Sequence, residues 1–182
     1  MTQMKLTEIA RKTLEYYFNG KKFELDKMTK KRYTKKNACF VTLTKNNNLR
    51  GCIGSLYASQ PLWKEVQENA LRAAFQDPRF FPLTKNELNE IKIEVSVLSE
   101  PKKLPFKDEN DLLKKINKNM GIIIKKNFKS ATFLPQVWEQ LPDKKEFLEH
   151  LCLKAGLNKD DWKSKNTEIL YYFVESEKED SK

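Results

Sequence analysis

The chain has 182 residues, 39% of them hydrophobic and 11% aromatic, and 35 basic side chains against 25 acidic ones give a net charge of +10. That length suits one domain or two small subdomains with a real core, and no stretch approaches the roughly 20 apolar residues of a membrane span. Three cysteines suit a reducing compartment rather than a disulfide framework, and a single histidine removes multi-histidine metal sites.

In chain order, residues 5–18 have the apolar spacing of an amphipathic helix, with Leu6, Ile9, Ala10 and Tyr17 near one face. This start lacks the apolar run of a signal peptide, so a cytoplasmic protein is expected. A basic loop is predicted to about Asn37. ACFVTLTK (38–45) and LRGCIGSL (49–56) then read as a hairpin across an asparagine turn. Pro61 opens a helix to about Gln76, and DPRFFPL (77–83) ends it. Thr84 and Glu87 have capping-box spacing for a short helix.

IKIEVSVLS (91–99) alternates cleanly and predicts a strand. A proline loop, a helix over 108–119, a second hairpin over 121–134 and a helical turn at 135–141 follow. Asp143 with Glu146 starts a helix that Gly156 closes, and TEILYYFVE (167–175) supplies a last strand. The closing SEKEDSK (176–182) is expected to be a frayed tail. The pattern predicts an α+β fold, mainly antiparallel sheet flanked by helices. No GxGxxG, GxxxxGK, CxxC or HExxH pattern occurs, so no cofactor and no metal is assigned. The absence of a long heptad pattern predicts a monomer or weak dimer. The positive charge is spread along the chain rather than gathered into one aromatic stripe. Nucleic-acid binding is therefore expected to be weak and non-specific.

The chain has only five glycines, and two of them, Gly51 and Gly54, flank Cys52 in a predicted strand. Glycine there marks a bulge or a place where something approaches the backbone. Strict alternation puts Arg50, Cys52 and Gly54 on one face with Thr42 and Thr44, opposite Val41, Leu43 and Ile53. The arginine and the thiol are then about 6.8 Å apart at the backbone. A guanidinium folded back onto Cys52 would favour the thiolate, and Gly54 would leave room above the sheet. The alternative is that Cys52 is a small buried hydrophobe and the glycines shape a bulge.

Glu94, with Ser96 on the polar face of its strand, is a candidate carboxylate for a cleft or simply a solvent-facing residue. Asp77 and Arg79 either line the same site or brace a turn. His150 points away from the apolar stripe of its helix, which disfavours a Cys–His pair, and Cys152 sits at the edge of that stripe.

LRGCIGSL, the run from PLWKEVQENALRAAFQDPRFFPL to EVSVLS, GIII and ATFLPQVWEQLPDKKEFLEHLCLKAGL resemble the AMMECR domain family in sequence and order. The resemblance spans nearly the whole chain. It implies one domain over 1–182 made of two subdomains, with the hexapeptide at a cleft between them. It carries Leu49 to Gly54, Asp77 to Phe80, Leu134 to Trp138 and Lys154 to Gly156 as motif positions. Cys52 and Arg50, with Glu94 from the strand reading, are candidate catalytic residues, and Gly51, Gly54, Asp77, Arg79, Gln136 and Trp138 candidate substrate-binding ones. Stand-alone members resemble protein A of the AmmeMemoRadiSam system, which implies a Memo-like protein and a radical-SAM protein as partners. The resulting expectation is a small anionic or nucleotide-like substrate, with a non-catalytic RNA- or protein-binding adaptor as the alternative. One departure from the family pattern is the second hairpin turn, KKNFKS, which has no glycine.

Overall fold

The opening pattern winds into α1 (Leu6–Phe18), whose Leu6, Ile9, Ala10 and Leu14 are buried. The basic segment after it is not all loop. Asp26 accepts hydrogen bonds from the backbone N–H groups of Met28 and Thr29 and caps α2 (Lys27–Arg32). β1 (Cys39–Lys45) and β2 (Asn48–Gly54) form the first hairpin. Its turn residues Asn46 and Asn47 both take positive φ, 51° and 62°, as a two-residue hairpin turn requires. α3 (Leu62–Phe75) and a 3₁₀ turn at Asn86–Asn89 lead to β3 (Ile91–Leu98). A two-residue strand, β4 (Lys102–Lys103), interrupts the predicted proline loop.

Asp108 caps α4 (Glu109–Lys115), which stops short of its predicted end because Ile116 is extended. β5 (Gly121–Lys126) and β6 (Lys129–Phe133) form the second hairpin, where Asn127 at φ 54° fills the left-handed position that lacks a glycine. A 3₁₀ turn at Pro135–Glu139, α5 (Lys144–Lys154) with Gly156 at φ 71°, and β7 (Glu168–Tyr172) follow. The final segment is a strand, β8 (Val174–Lys178), rather than a frayed tail.

This computed structural model describes residues 4–179, so the last three residues of the expected tail lie outside the described residues. It divides into two units: the chain up to Glu100 together with the stretch from Glu175, and Pro101–Val174. The first unit contains the sheet β2-β1-β3-β8, with α1 and α3 on one face. Val41, Leu43, Ile93 and Val95 supply that face, and Val66, Ala70 and Ala73 of α3 meet it. The second unit contains the sheet β4-β7-β5-β6. Its core gathers Leu112, Ile122, Ile124, Trp138, Phe147, Trp162 and Ile169. The β1–β2, β1–β3, β4–β7, β5–β6 and β5–β7 pairs are antiparallel, which makes the fold α+β.

Candidate functional site

The hexapeptide lies on β2, an edge strand, and its register explains where each side chain goes. Leu43 pairs with Gly51 but Thr44 pairs with Leu49, so Arg50 is the extra residue of a bulge. Its guanidinium meets Glu87 through two bonds, Nε to Oε1 at 2.9 Å and Nη2 to Oε2 at 3.0 Å. Glu87 also accepts from the backbone N–H and hydroxyl of Thr84, the reciprocal half of the predicted capping box. Arg50 thus fastens the strand to the 3₁₀ turn and holds the Glu87 carboxyl down at about 2. The expectation that Arg50 sits beside the thiol is corrected: Arg79 is the cation that acts on Cys52.

Cys52 is held through its backbone. Its N–H donates to Asp77 Oδ2 at 2.9 Å, and its carbonyl accepts from Arg79 Nη2 at 3.4 Å. Asp77 and Arg79 are themselves joined, Nε to Oδ1 at 2.9 Å and Nη2 to Oδ2 at 2.7 Å. On a strand edge, outward N–H and C=O groups are normally unpaired. Here a carboxylate–guanidinium pair takes the place of the missing neighbouring strand. The Asp77 side chain is only 2% exposed, and Arg79 and the Cys52 N–H hold its pKa down at about 2.

The sulfur faces Thr42, with Sγ 3.1 Å from Oγ1. Burial pushes the thiol above its ordinary value; the Thr42 hydroxyl and Arg79 offset this in part, while Asp77 and Glu94 add to it. Cys52 is therefore a protonated thiol at neutral pH, not the thiolate that an adjacent Arg50 would give. In the same cross-strand row, Thr42 pairs with Cys52 on one side and with Glu94 on the other. Glu94 accepts from Ser96 Oγ at 3.3 Å and pairs with Lys178 Nζ at 3.4 Å, and Ser96 meets Ser176 at 2.9 Å. Ser176 and Lys178 have no sequence signal beyond the polar composition that made their segment read as a tail.

The two glycines are needed by the fold. A Cβ at Gly51 would lie under 3.0 Å from the Ala73 carbonyl oxygen, so Gly51 lets α3 close on the strand. A Cβ at Gly54 would lie 2.6 Å from the Phe40 Cα and overlap the Phe40 ring. The space beside Gly54 is filled by protein, which overturns the expectation that it leaves room for a ligand. Gly54→Val is then a folding defect rather than a plug.

In the second unit, Gln136 is exposed on its 3₁₀ turn. Trp138 is 2% exposed, stacks on Phe147 with centroids 3.6 Å apart, and donates its indole N–H to the Met120 carbonyl. Most of the ring is core, and its remaining edge lines a shallow concavity with Gln136 and Pro135. His150 is exposed and Cys152 is buried, its thiol pushed up to about 11 by that burial. Cys39 is buried in the first unit with its thiol at about 12. Among the described residues no group of three or more His, Cys, Asp or Glu side chains could hold a metal ion, and no helix is long and apolar enough to cross a membrane.

Comparison with known proteins places this arrangement in a family. The chain is 45% identical over 172 residues to Protein NEQ441 of Nanoarchaeum equitans, covering 93% of this chain and 96% of that one. It is 43% identical over 177 residues to Protein MK0488 of Methanopyrus kandleri, covering 92% and 83%. The crystal structure of the uncharacterized protein PH0010 from Pyrococcus horikoshii superposes with a TM-score of 0.88 at 34% identity, over 96% of this chain and 90% of that one. The AMMECR1 family profile matches residues 7–176, a span that takes in the bulged hexapeptide, the Asp77–Arg79 clamp and strands β1 to β7. With that match and these identities along nearly its whole length, the chain belongs to the AMMECR1 family.

Proposed function

We propose that this is a cytoplasmic protein that binds and modifies a small anionic or nucleotide-like substrate at the polar face of the β2-β1-β3-β8 sheet. Cys52 is the reacting group, Glu94 the acid or base, and Arg79 the residue that meets the anion. What carries the reading is the single row Cys52–Thr42–Glu94 across three adjacent strands, on the face opposite the apolar core. Sheet spacing puts Cys52 and Glu94 roughly 9.6 Å apart, too far to bond directly and wide enough for a substrate group between them. Arg50 and Gly54 leave the site in this reading, since one is spent on Glu87 and the other on packing. A thiol held protonated works as a proton donor, or as a nucleophile once a base removes its proton. The Memo-like and radical-SAM proteins implied by the resemblance are the proposed partners, the latter as the source of the substrate.

The experiment is alkylation of Cys52 against pH, joined to complementation by Cys52→Ser and Glu94→Gln in a host lacking its own copy. Cys52 is expected to react more slowly than a free cysteine at pH 7, with both variants folded and inactive. Full complementation by Cys52→Ser would sink the catalytic reading and leave an RNA- or protein-binding adaptor.

A further inference from the structure

The helix layer of the first unit carries a second concave surface, on the side of α3 turned away from the sheet. It is a groove of about 740 Å³ between the end of α1, the loop that follows it and α3. That volume lies in the range, about 300–1,000 Å³, that encloses small organic ligands. Its apolar lining is Tyr17 from α1, Phe23 from the loop, and Trp63 and Leu71 from α3.

Local sequence builds this lining. Trp63, Gln67 and Leu71 recur every four residues and form one stripe of α3, while Val66, Ala70 and Ala73 form the buried stripe facing the sheet. Gly20 at φ 66° turns the chain back after α1 and brings Phe23 to 5.0 Å from Tyr16, centroid to centroid. Gln67 Nε2 donates to the Phe23 carbonyl at 3.0 Å and pins the loop to the helix. Its Oε1 makes no hydrogen bond to the described residues and is open to accept one from a molecule in the groove.

The charges around the groove favour an anion. Lys21, Lys22 and Lys64 line it, and Lys30 Nζ lies over the Trp63 ring, 5.2 Å from its centroid. Against these four ammonium groups stand two carboxylates. Glu24 is shared by Lys22 and Lys30, both at 3.5 Å, and Glu68 pairs with Lys64 at 3.8 Å. Lys21 makes no ion pair among the described residues. A cationic ligand is disfavoured twice over. The surplus charge repels it, and the cation positions over Trp63 and Phe23 are already taken by Lys30 and, at 5.8 Å, Lys12.

We propose that this groove binds a mononucleotide: the base packs against Tyr17, Leu71 and the side of Trp63 that Lys30 leaves open and reaches Gln67, and the phosphates meet Lys21 and Lys22. This site is separate from the Cys52 row and does not depend on it, because the sheet stands between them.

The test titrates the full chain with ADP and reads tryptophan fluorescence, Trp63 being partly exposed while Trp138 and Trp162 are buried. Saturable quenching is expected, absent in Trp63→Phe and reproduced by calorimetry. Lys21→Ala and Trp63→Ala should each weaken binding about tenfold or more, with melting confirming that both variants fold. Adenosine should bind about tenfold more weakly than ADP, for want of the charge-assisted contacts. Cys52→Ser should leave the titration unchanged, so failure of the Cys52 reading and failure of this one are distinguishable. The proposal is overturned if ADP, GDP and UDP give no saturable signal at low millimolar concentration, or if Lys21→Ala and Trp63→Ala bind as the parent does. It is also overturned if an oligonucleotide binds far more tightly than any mononucleotide, which would make the groove part of an RNA surface.

Discussion

Cys52 is governed by two side chains that bond its backbone. Asp77 has a folded-state pKa of about 2, below its ordinary 3.8. A depressed carboxylate stabilises the fold fully above about pH 5, and that contribution is lost as the pH falls toward 2. Asp77→Asn is therefore expected to lower the urea midpoint at pH 7 and to flatten its acid dependence. An unchanged slope between about pH 5 and pH 2 would deny the clamp its role. Gly51→Ala should destabilise by about 3 kcal/mol, since the added methyl meets backbone rather than a flexible side-chain end; a denaturant titration measures it. The sequence made Gly51, Cys52 and Gly54 conspicuous, put Cys52 with Thr42 and offered Glu94 as a candidate carboxylate, but the β1–β3 register that brings Glu94 into the same row comes from the structure. The sequence offered a bulge only as the alternative and placed it at the glycines, whereas the extra residue is Arg50, one position before Gly51. A bulge breaks period-two alternation without altering composition, so the guanidinium read as the neighbour of the thiol when it belongs to Glu87.

At the scale of elements, β8 and the residue after it hold the first two turns of α1. Glu177 accepts from the backbone N–H and hydroxyl of Thr7 at 2.8 and 2.9 Å, in the first turn where helix donors lack partners. Glu179 takes two bonds from Arg11, which also reaches the Leu88 and Ile91 carbonyls. Glu177→Ala should cost about 1 kcal/mol, as loss of a helix cap does, and should raise amide exchange in the first turn of α1; unaltered exchange there would refute the cap. The long periodic elements α1, α3, β1, β3 and α5 were legible because a buried face imposes its period on the sequence. α2 was not: six residues are too short for a stripe, and its one signal was Asp26 three residues before Thr29. β8 was hidden because VESEK is held by carboxylates that act on distant residues, and no local pattern records that.

Across the whole molecule the charge of +10 coexists with many local ion pairs, such as Lys126 with Asp161 and Lys45 with Glu87 and Glu90. Affinity for long RNA is expected to stay in the non-specific range, about 10⁻⁴ to 10⁻⁶ M at physiological salt, and to weaken steeply as salt rises. Anisotropy titrations check this, and a nanomolar, sequence-preferring complex would contradict it. The division into units has a different consequence. Pro101–Val174 is one uninterrupted stretch, whereas the first unit needs both its early residues and the segment from Glu175. During synthesis the later unit thus has all its residues before the earlier one does. Until β8 clears the ribosome, β3 presents a bare edge and α1 lacks both of its carboxylate anchors. A nascent chain in that condition pairs readily with other edges, so β8 and Glu179 act as the latch that ends its exposure to aggregation.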